Sequence, residues 1–149
     1  MGGVSMFTRW SDTLLVGVTF IDREHKEIIK HSEKLHDLLL QGNYETYLKE
    51  LPELLNDYVN RHLTHEEELQ KMIGFHLFEE HIKHHDEFRE WAEEIKTQVK
   101  SNDLSEEEIR TLDISINDWL IKHIQTEDTK IGEYHDVIKA NMFNPYKKR

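Results

Sequence analysis

The stretch that decides the fold runs from His62 to His85 and reads HLTHEEELQKMIGFHLFEEHIKHH. His62 and Glu66 are four residues apart before Gly74, and His81 and His85 are four residues apart after it. Side chains at this spacing lie on one face of an α-helix, and a glycine between periodic segments is typical of a helix end. The stretch therefore predicts the end of one helix and the start of the next, each with two polar side chains on its inward face.

Amphipathic segments lie on both sides of this stretch. Asp22 is the predicted N-cap of the first helix, and Ser105 with Glu108 has the spacing of a capping box that opens the last. Pro52 either kinks the second helix or occupies its first position. Helical periodicity predicts four helices, at about 22–40, 45–73, 77–100 and 105–128.

Four amphipathic helices with short connections predict an all-α fold, an antiparallel up-down four-helix bundle. We expect the bundle over about 22–128, after an extended N-terminal arm, 1–21. A C-terminal tail, 129–149, is expected to begin with a short helix over about 129–139. The length predicts a single domain, 1–149.

The composition excludes several classes of function. The chain has 149 residues, a formal net charge of -11 and no cysteine. The acidic balance argues against nucleic acid or an anionic membrane as a partner, and the lack of cysteine rules out disulfides, iron–sulfur clusters and thiolate zinc sites. No apolar run is long enough to cross a bilayer, and residues 1–10 contain no apolar signal segment, so a cytoplasmic location is expected.

Histidines and carboxylates are predicted to point into the bundle from all four helices. A single inward histidine is usually a hydrogen-bonded core residue, but unpaired buried carboxylates are costly, and this many polar groups are hard to satisfy without a cation. Imidazole together with carboxylate suits iron, manganese or a pair of zinc ions. The predicted ligands are His25, His62, Glu66, His81, His85, His123 and Asp128.

Counting the ligands favours two metal ions with one open position. Two octahedral ions offer twelve coordination positions. Five histidines, two bridging carboxylates and one bridging oxide or hydroxide fill eleven of them, which leaves one position for a small ligand. The count requires that both carboxylates bridge the two ions.

The segments that carry these ligands resemble the motifs of the hemerythrin family, particularly those of its single-domain bacterial members. The run from His62 to Glu67 is similar to the ligand motif of the second helix in that family, although Leu63 stands where an aromatic residue is usual. The similar segments are 10–26, 62–67, 81–88 and 119–128, and the resemblance spans about 10–132.

The resemblance implies a role for each ligand. Hemerythrins bind O2 reversibly at two iron ions, which alternate between Fe2+ and Fe3+ and share an oxo or hydroxo bridge. By position, one iron would have three histidines, the iron with the open position would have two, and two carboxylates would bridge the pair. The three histidines would be His81, His85 and His123, and the two would be His25 and His62. The bridging carboxylates would be Glu66 and Asp128.

An apolar wall is predicted beside the open position. A dry pocket slows the loss of a bound ligand by protonation, and Leu63 would leave more room there than an aromatic residue. The other six histidines, and the rest of the acidic run 66–68, are expected to be core or solvated side chains. The predicted pocket residues are Leu63, Phe88, Trp119, Leu120 and Ile124.

The ligand set favours an O2-binding protein, for oxygen storage, transport or delivery, over an enzyme. Oxidase-type di-iron bundles use more carboxylates and pairs of Glu-x-x-His, whereas histidine predominates here. The alternatives are a di-iron peroxidase, a nitric-oxide-handling enzyme or a sensor of O2 or iron on the same scaffold. O2 is the expected partner, and the sequence assigns no protein partner.

Overall fold

The computed structural model describes residues 6–142, so the arm before residue 6 and the tail after residue 142 lie outside the described residues. Four long helices follow one another within that range, and the predicted all-α bundle is confirmed. We label them α1 (Thr19–Leu40), α2 (44–73), α3 (Phe78–Ser101) and α4 (106–142).

Helices α2 and α4 each contain a π-helical segment. In α2 the segment Tyr58–Leu63 separates Tyr44–Asp57 from Thr64–Ile73, and in α4 the segment Ile124–Asp128 separates Glu106–His123 from Thr129–Met142. The helical backbone continues through both segments. Residues 129–142 are thus helical, as predicted for 129–139, but they extend α4 and do not form a separate helix.

Short connections make neighbouring helices antiparallel. Gly74 ends α2 in the left-handed conformation with a φ of 62°, and the N–H of Phe75 donates to the carbonyl of Gln70 at 2.9 Å. Asn102 ends α3 with a φ of 57°. Both residues are of the kinds that tolerate this conformation and commonly end helices.

The predicted start of α4 is confirmed, whereas the predicted start of α1 is not. Ser105 and Glu108 form the predicted capping box. Helix α1, however, begins at Thr19, so the prediction of Asp22 as its N-cap is wrong. Asp22 lies in the first turn, where its carboxylate accepts the N–H groups of Val16 and Gly17 at 2.7 and 3.1 Å.

Pro52 lies inside Tyr44–Asp57, so it is not the first residue of α2. The predicted extended arm, 1–21, is too long, because residues 19–21 belong to α1, and it is not wholly extended, because Asp12–Leu14 form a 3-10 turn. Its described part, 6–18, is attached to the bundle through side chains. Asn117 of α4 donates to the carbonyl of Thr8 at 2.9 Å and accepts its N–H at 2.8 Å. Gly132 lies so close to Val16 that an added Cβ would be 1.7 Å from the Val16 carbonyl oxygen.

The inward faces of the four helices form one apolar core. It includes Ile21, Ile28, Leu35, Leu51, Leu55, Ile95, Ile109, Ile116 and Ile131, all at most 2% exposed. In the part of the chain that the structure describes, no helix is both long enough and apolar enough to cross a membrane.

Candidate metal centre

All seven predicted ligands are buried in the middle of the bundle, with exposed fractions of at most 5%. Their ligand atoms form two groups that share Glu66 and Asp128, and within each group the atoms lie within 4.8 Å of one another. We call these the three-histidine group and the two-histidine group. The first contains His81, His85 and His123, and the second contains His25 and His62.

Each shared carboxylate turns one oxygen toward each group. On the two-histidine side, Oε2 of Glu66 lies 3.0 Å from Nε2 of His62, and Oδ2 of Asp128 lies 3.0 Å from Nε2 of His25. The remaining oxygens, Oε1 of Glu66 and Oδ1 of Asp128, face the three-histidine group. Oε1 of Glu66 lies 2.7 Å from Nε2 of His81 and 3.1 Å from Nε2 of His85. Oδ1 of Asp128 lies 3.1 Å from Nε2 of His123.

Several of these polar atoms have no aligned hydrogen bond to any described residue. They are Nε2 of His25, His85 and His123 and both carboxylate oxygens of Asp128, and all of them are buried. Buried polar groups in proteins are nearly always paired, and leaving one unpaired costs about 1–3 kcal/mol. Nitrogen and oxygen atoms that converge in this way fit a pair of cations such as iron, which binds imidazole together with carboxylate.

The charges in the centre stabilise one another strongly. Burial alone would raise the pKa of Glu66, but its contacts with the histidines lower that pKa well below the usual value. Burial alone would lower the pKa of His62, yet Glu24 and Glu66 raise it to about 9. The pKa of His81 is raised to about 10, because Asp128 and Glu66 outweigh burial in the same way. A metal ion that binds here would therefore have to displace protons from these rings.

Two glutamates outside the ligand set hold the rings of ligand histidines, and sequence reasoning missed both. Nδ1 of His62 lies 2.9 Å from Glu24, which is 3% exposed, and Nδ1 of His85 lies 2.7 Å from Glu67. The expectation that Glu67 is solvated is wrong, since its carboxylate also accepts a bond from Arg89 at 2.6 Å. A carboxylate on one ring nitrogen leaves the other free for a metal.

His65 is exposed, as expected of a solvated side chain, but it also has a contact that was not predicted. Although the side chain is 44% exposed, its Nδ1 lies 2.6 Å from Glu24. One carboxylate thus connects a ligand histidine to a surface histidine. One feature of the sequence indicates this link: His62 and His65 lie three residues apart, so they occupy neighbouring positions on the surface of the same helix.

The predicted pocket residues pack together around the centre. Leu63, Phe88, Leu120 and Ile124 are at most 2% exposed, and Trp119 is partly buried. The indole of Trp119 stacks on the ring of His123, with centroids 4.6 Å apart and an angle of 12°. Trp119 therefore borders the three-histidine group, whereas the wall was predicted for the side of His25 and His62.

Comparison with known proteins agrees with this geometry. The family model described as the hemerythrin HHE cation binding domain matches residues 16–134. The chain is 29% identical over 133 residues to a bacteriohemerythrin of Pseudomonas aeruginosa, which covers 89% of this chain and 82% of that protein. It is 31% identical over 128 residues to a bacteriohemerythrin of Aquifex aeolicus, covering 86% and 97%. No solved structure matches the chain.

Proposed function

The chain belongs to the hemerythrin family, and from this premise we propose that it binds O2 reversibly at a centre of two iron ions. The observation that carries the proposal is that each of the two shared carboxylates faces both histidine groups. Because Glu66 and Asp128 each direct one oxygen toward each histidine group, both are suited to bridge two ions. This is the condition on which the count of one open position depends.

The two groups differ by one histidine. His81, His85 and His123 would complete one ion together with the bridges, while His25 and His62 would leave the other ion one ligand short. A bound ferrous pair supplies two electrons and an open coordination position, which reversible binding of O2 needs. The asymmetry of the ligand set therefore supports binding of one small ligand on the side of His25 and His62.

The surroundings of the centre favour a carrier over an enzyme. Leu63, Leu120 and Ile124 are buried apolar side chains that exclude water, and exclusion of water limits proton delivery to a bound ligand. Glu24 and Glu67 fix the orientation of His62 and His85. The proposed role is storage or delivery of O2.

The test is reconstitution with ferrous iron in the absence of oxygen, followed by measurement of iron per chain and of the visible spectrum. Two irons per chain and an absorption band that develops in air and fades under argon would support the proposal. His62→Ala should lose the band, and the control His31→Ala, which changes a histidine outside both groups, should keep it. Prompt irreversible oxidation, with turnover of peroxide or nitric oxide, would identify an enzyme, and the absence of bound iron would overturn the metal centre.

A further inference from the structure

Tyr58 lies at the edge of the two-histidine group. It begins the π-helical segment of α2 and precedes His62 by one turn, and its ring stacks on that of His62 with centroids 5.4 Å apart. The ring also meets Phe88 edge-on at 4.9 Å and Trp119 edge-on at 6.2 Å. Tyr58 thus lies between a ligand histidine and two of the predicted pocket residues. π-Helical turns of this kind occur frequently at functional sites.

The hydroxyl of Tyr58 has no hydrogen-bond partner among the described residues, although the side chain is only 2% exposed. The other buried tyrosine in that part of the chain is different. Tyr47 is 1% exposed, and its hydroxyl donates to Oδ1 of Asp113 at 3.1 Å. Because an unpaired buried hydroxyl lowers stability, its retention calls for a reason in the function of the site.

A tyrosine hydroxyl keeps its proton at neutral pH and can donate it in a hydrogen bond. The ring of Tyr58 stacks on that of His62, so this donor lies beside the two-histidine group. Tyr58 is therefore a hydrogen-bond donor that has no acceptor within the described protein.

We propose that the Tyr58 hydroxyl donates a hydrogen bond to the small ligand that binds at the centre beside His62. The inference rests on the proposed function, because it needs the iron centre to attract such a ligand. A donor at this position favours O2 and small anions, whose terminal atoms accept a hydrogen bond, over ligands without an acceptor. Tyr58 would thus determine ligand specificity at a centre whose other predicted neighbours are apolar side chains.

The test compares Tyr58→Phe with the control Tyr47→Phe, using azide as the probe of the iron-loaded ferric protein. Each variant removes one buried hydroxyl and no other atom. We expect Tyr58→Phe to keep two irons per chain and to bind azide about tenfold more weakly, the size of one hydrogen bond to an anion. Tyr47→Phe should bind azide as the wild type does, because its hydroxyl is bonded to Asp113.

Thermal unfolding of the same proteins before azide is added gives a second measurement. Tyr47→Phe should unfold at a lower temperature, since Asp113 loses a partner, whereas Tyr58→Phe should be as stable as the wild type or more stable. Unchanged azide affinity in Tyr58→Phe would overturn the inference, and so would a loss of iron or a lower unfolding temperature in that variant. A wild type that holds no iron would overturn the proposed function itself, and the inference with it.

Discussion

Glu24 lies 2.9 Å from Nδ1 of His62 and accepts its ring proton, which leaves Nε2 to face the shared carboxylate of Glu66. Burial alone would raise the pKa of Glu24, but its contacts with His62 and His65 lower it, so the carboxylate is charged at neutral pH. Arg61 adds a salt bridge at 3.2 Å. The charge on Glu24 therefore orients His62, and it would make the ring a stronger ligand for a metal ion.

Glu24→Gln should weaken iron binding by about 10–100-fold, because the amide keeps the shape of the side chain but loses its charge. The ion held by His25 and His62 should be lost first. The measurement is iron per chain during a titration with a chelator. Glu27→Gln is the matched control on α1, since Glu27 is 52% exposed and pairs with Arg23 and Arg61. Equal chelator sensitivity of the two variants would show that Glu24 does not support His62.

The burial and clustering of the seven proposed ligands could be predicted from the sequence, and their outer partners could not, for a physical reason. Spacing along one helix places His62 with Glu66 on the inward face whatever the helix packs against. The contact between Glu24 and His62 instead joins α1 to α2, and it depends on how the two helices are rotated and displaced against each other. Glu67 follows Glu66 directly, so periodicity alone places it away from that face.

The π-helical segments were not predicted either, although one left a trace in the sequence. His123 and Asp128 are five residues apart, which in a regular α-helix separates their directions by about 140°. A π turn forms hydrogen bonds between residues five apart, and the N–H of Thr129 bonds to the carbonyl of Ile124 in this way. The segment Ile124–Asp128 therefore brings Asp128 to the face that carries His123.

Glu66→Gln should abolish stoichiometric binding of the two ions. Glu66 presents one carboxylate oxygen to each histidine group, beside His62 and His81, whereas the amide of glutamine has a single oxygen. Its NH2 group cannot accept a hydrogen bond or bind a metal, so it cannot replace the second oxygen. Iron per chain should fall from about two to below about one. Glu68→Gln, at an exposed position two residues away, should keep the wild-type iron content. Full iron content in Glu66→Gln would refute bridging by this residue.

Leu63→Phe should retain both irons and slow the binding of O2 and azide. Leu63 is 0% exposed, so a larger side chain must displace its neighbours, at a cost to stability of about 1–3 kcal/mol. We expect it to fill the space predicted beside the open position. Stopped-flow association rates and a denaturant titration measure the two effects. Leu63→Met conserves the volume and serves as the control. Association as fast as in the wild type would place the entering ligand away from Leu63.

Gly132→Ala should destabilise the attachment of the N-terminal arm. Its Cβ would lie 1.7 Å from the carbonyl oxygen of Val16 and 2.8 Å from the carbonyl carbon, and backbone atoms must then shift. The expected loss of stability is about 1–3 kcal/mol, and trypsin should cleave faster after Arg9. Glu133→Ala, at the next and exposed position, should be neutral. Wild-type stability in Gly132→Ala would mean that the arm does not pack on α4 in this way.

Binding of ferrous iron to the metal-free chain at pH 7 should release protons. The pKa of His62 is raised to about 9 and that of His81 to about 10, both above the pH of the measurement, so both rings carry a proton that a metal must displace. The binding constant should therefore rise with pH until these rings have lost their protons. Anaerobic titration in weak buffer, followed with a pH electrode, measures the release directly.

His81→Ala should release fewer protons than the wild type, and His31→Ala should release as many. Stoichiometric uptake of iron without a change in pH would show that the rings are neutral before the metal binds.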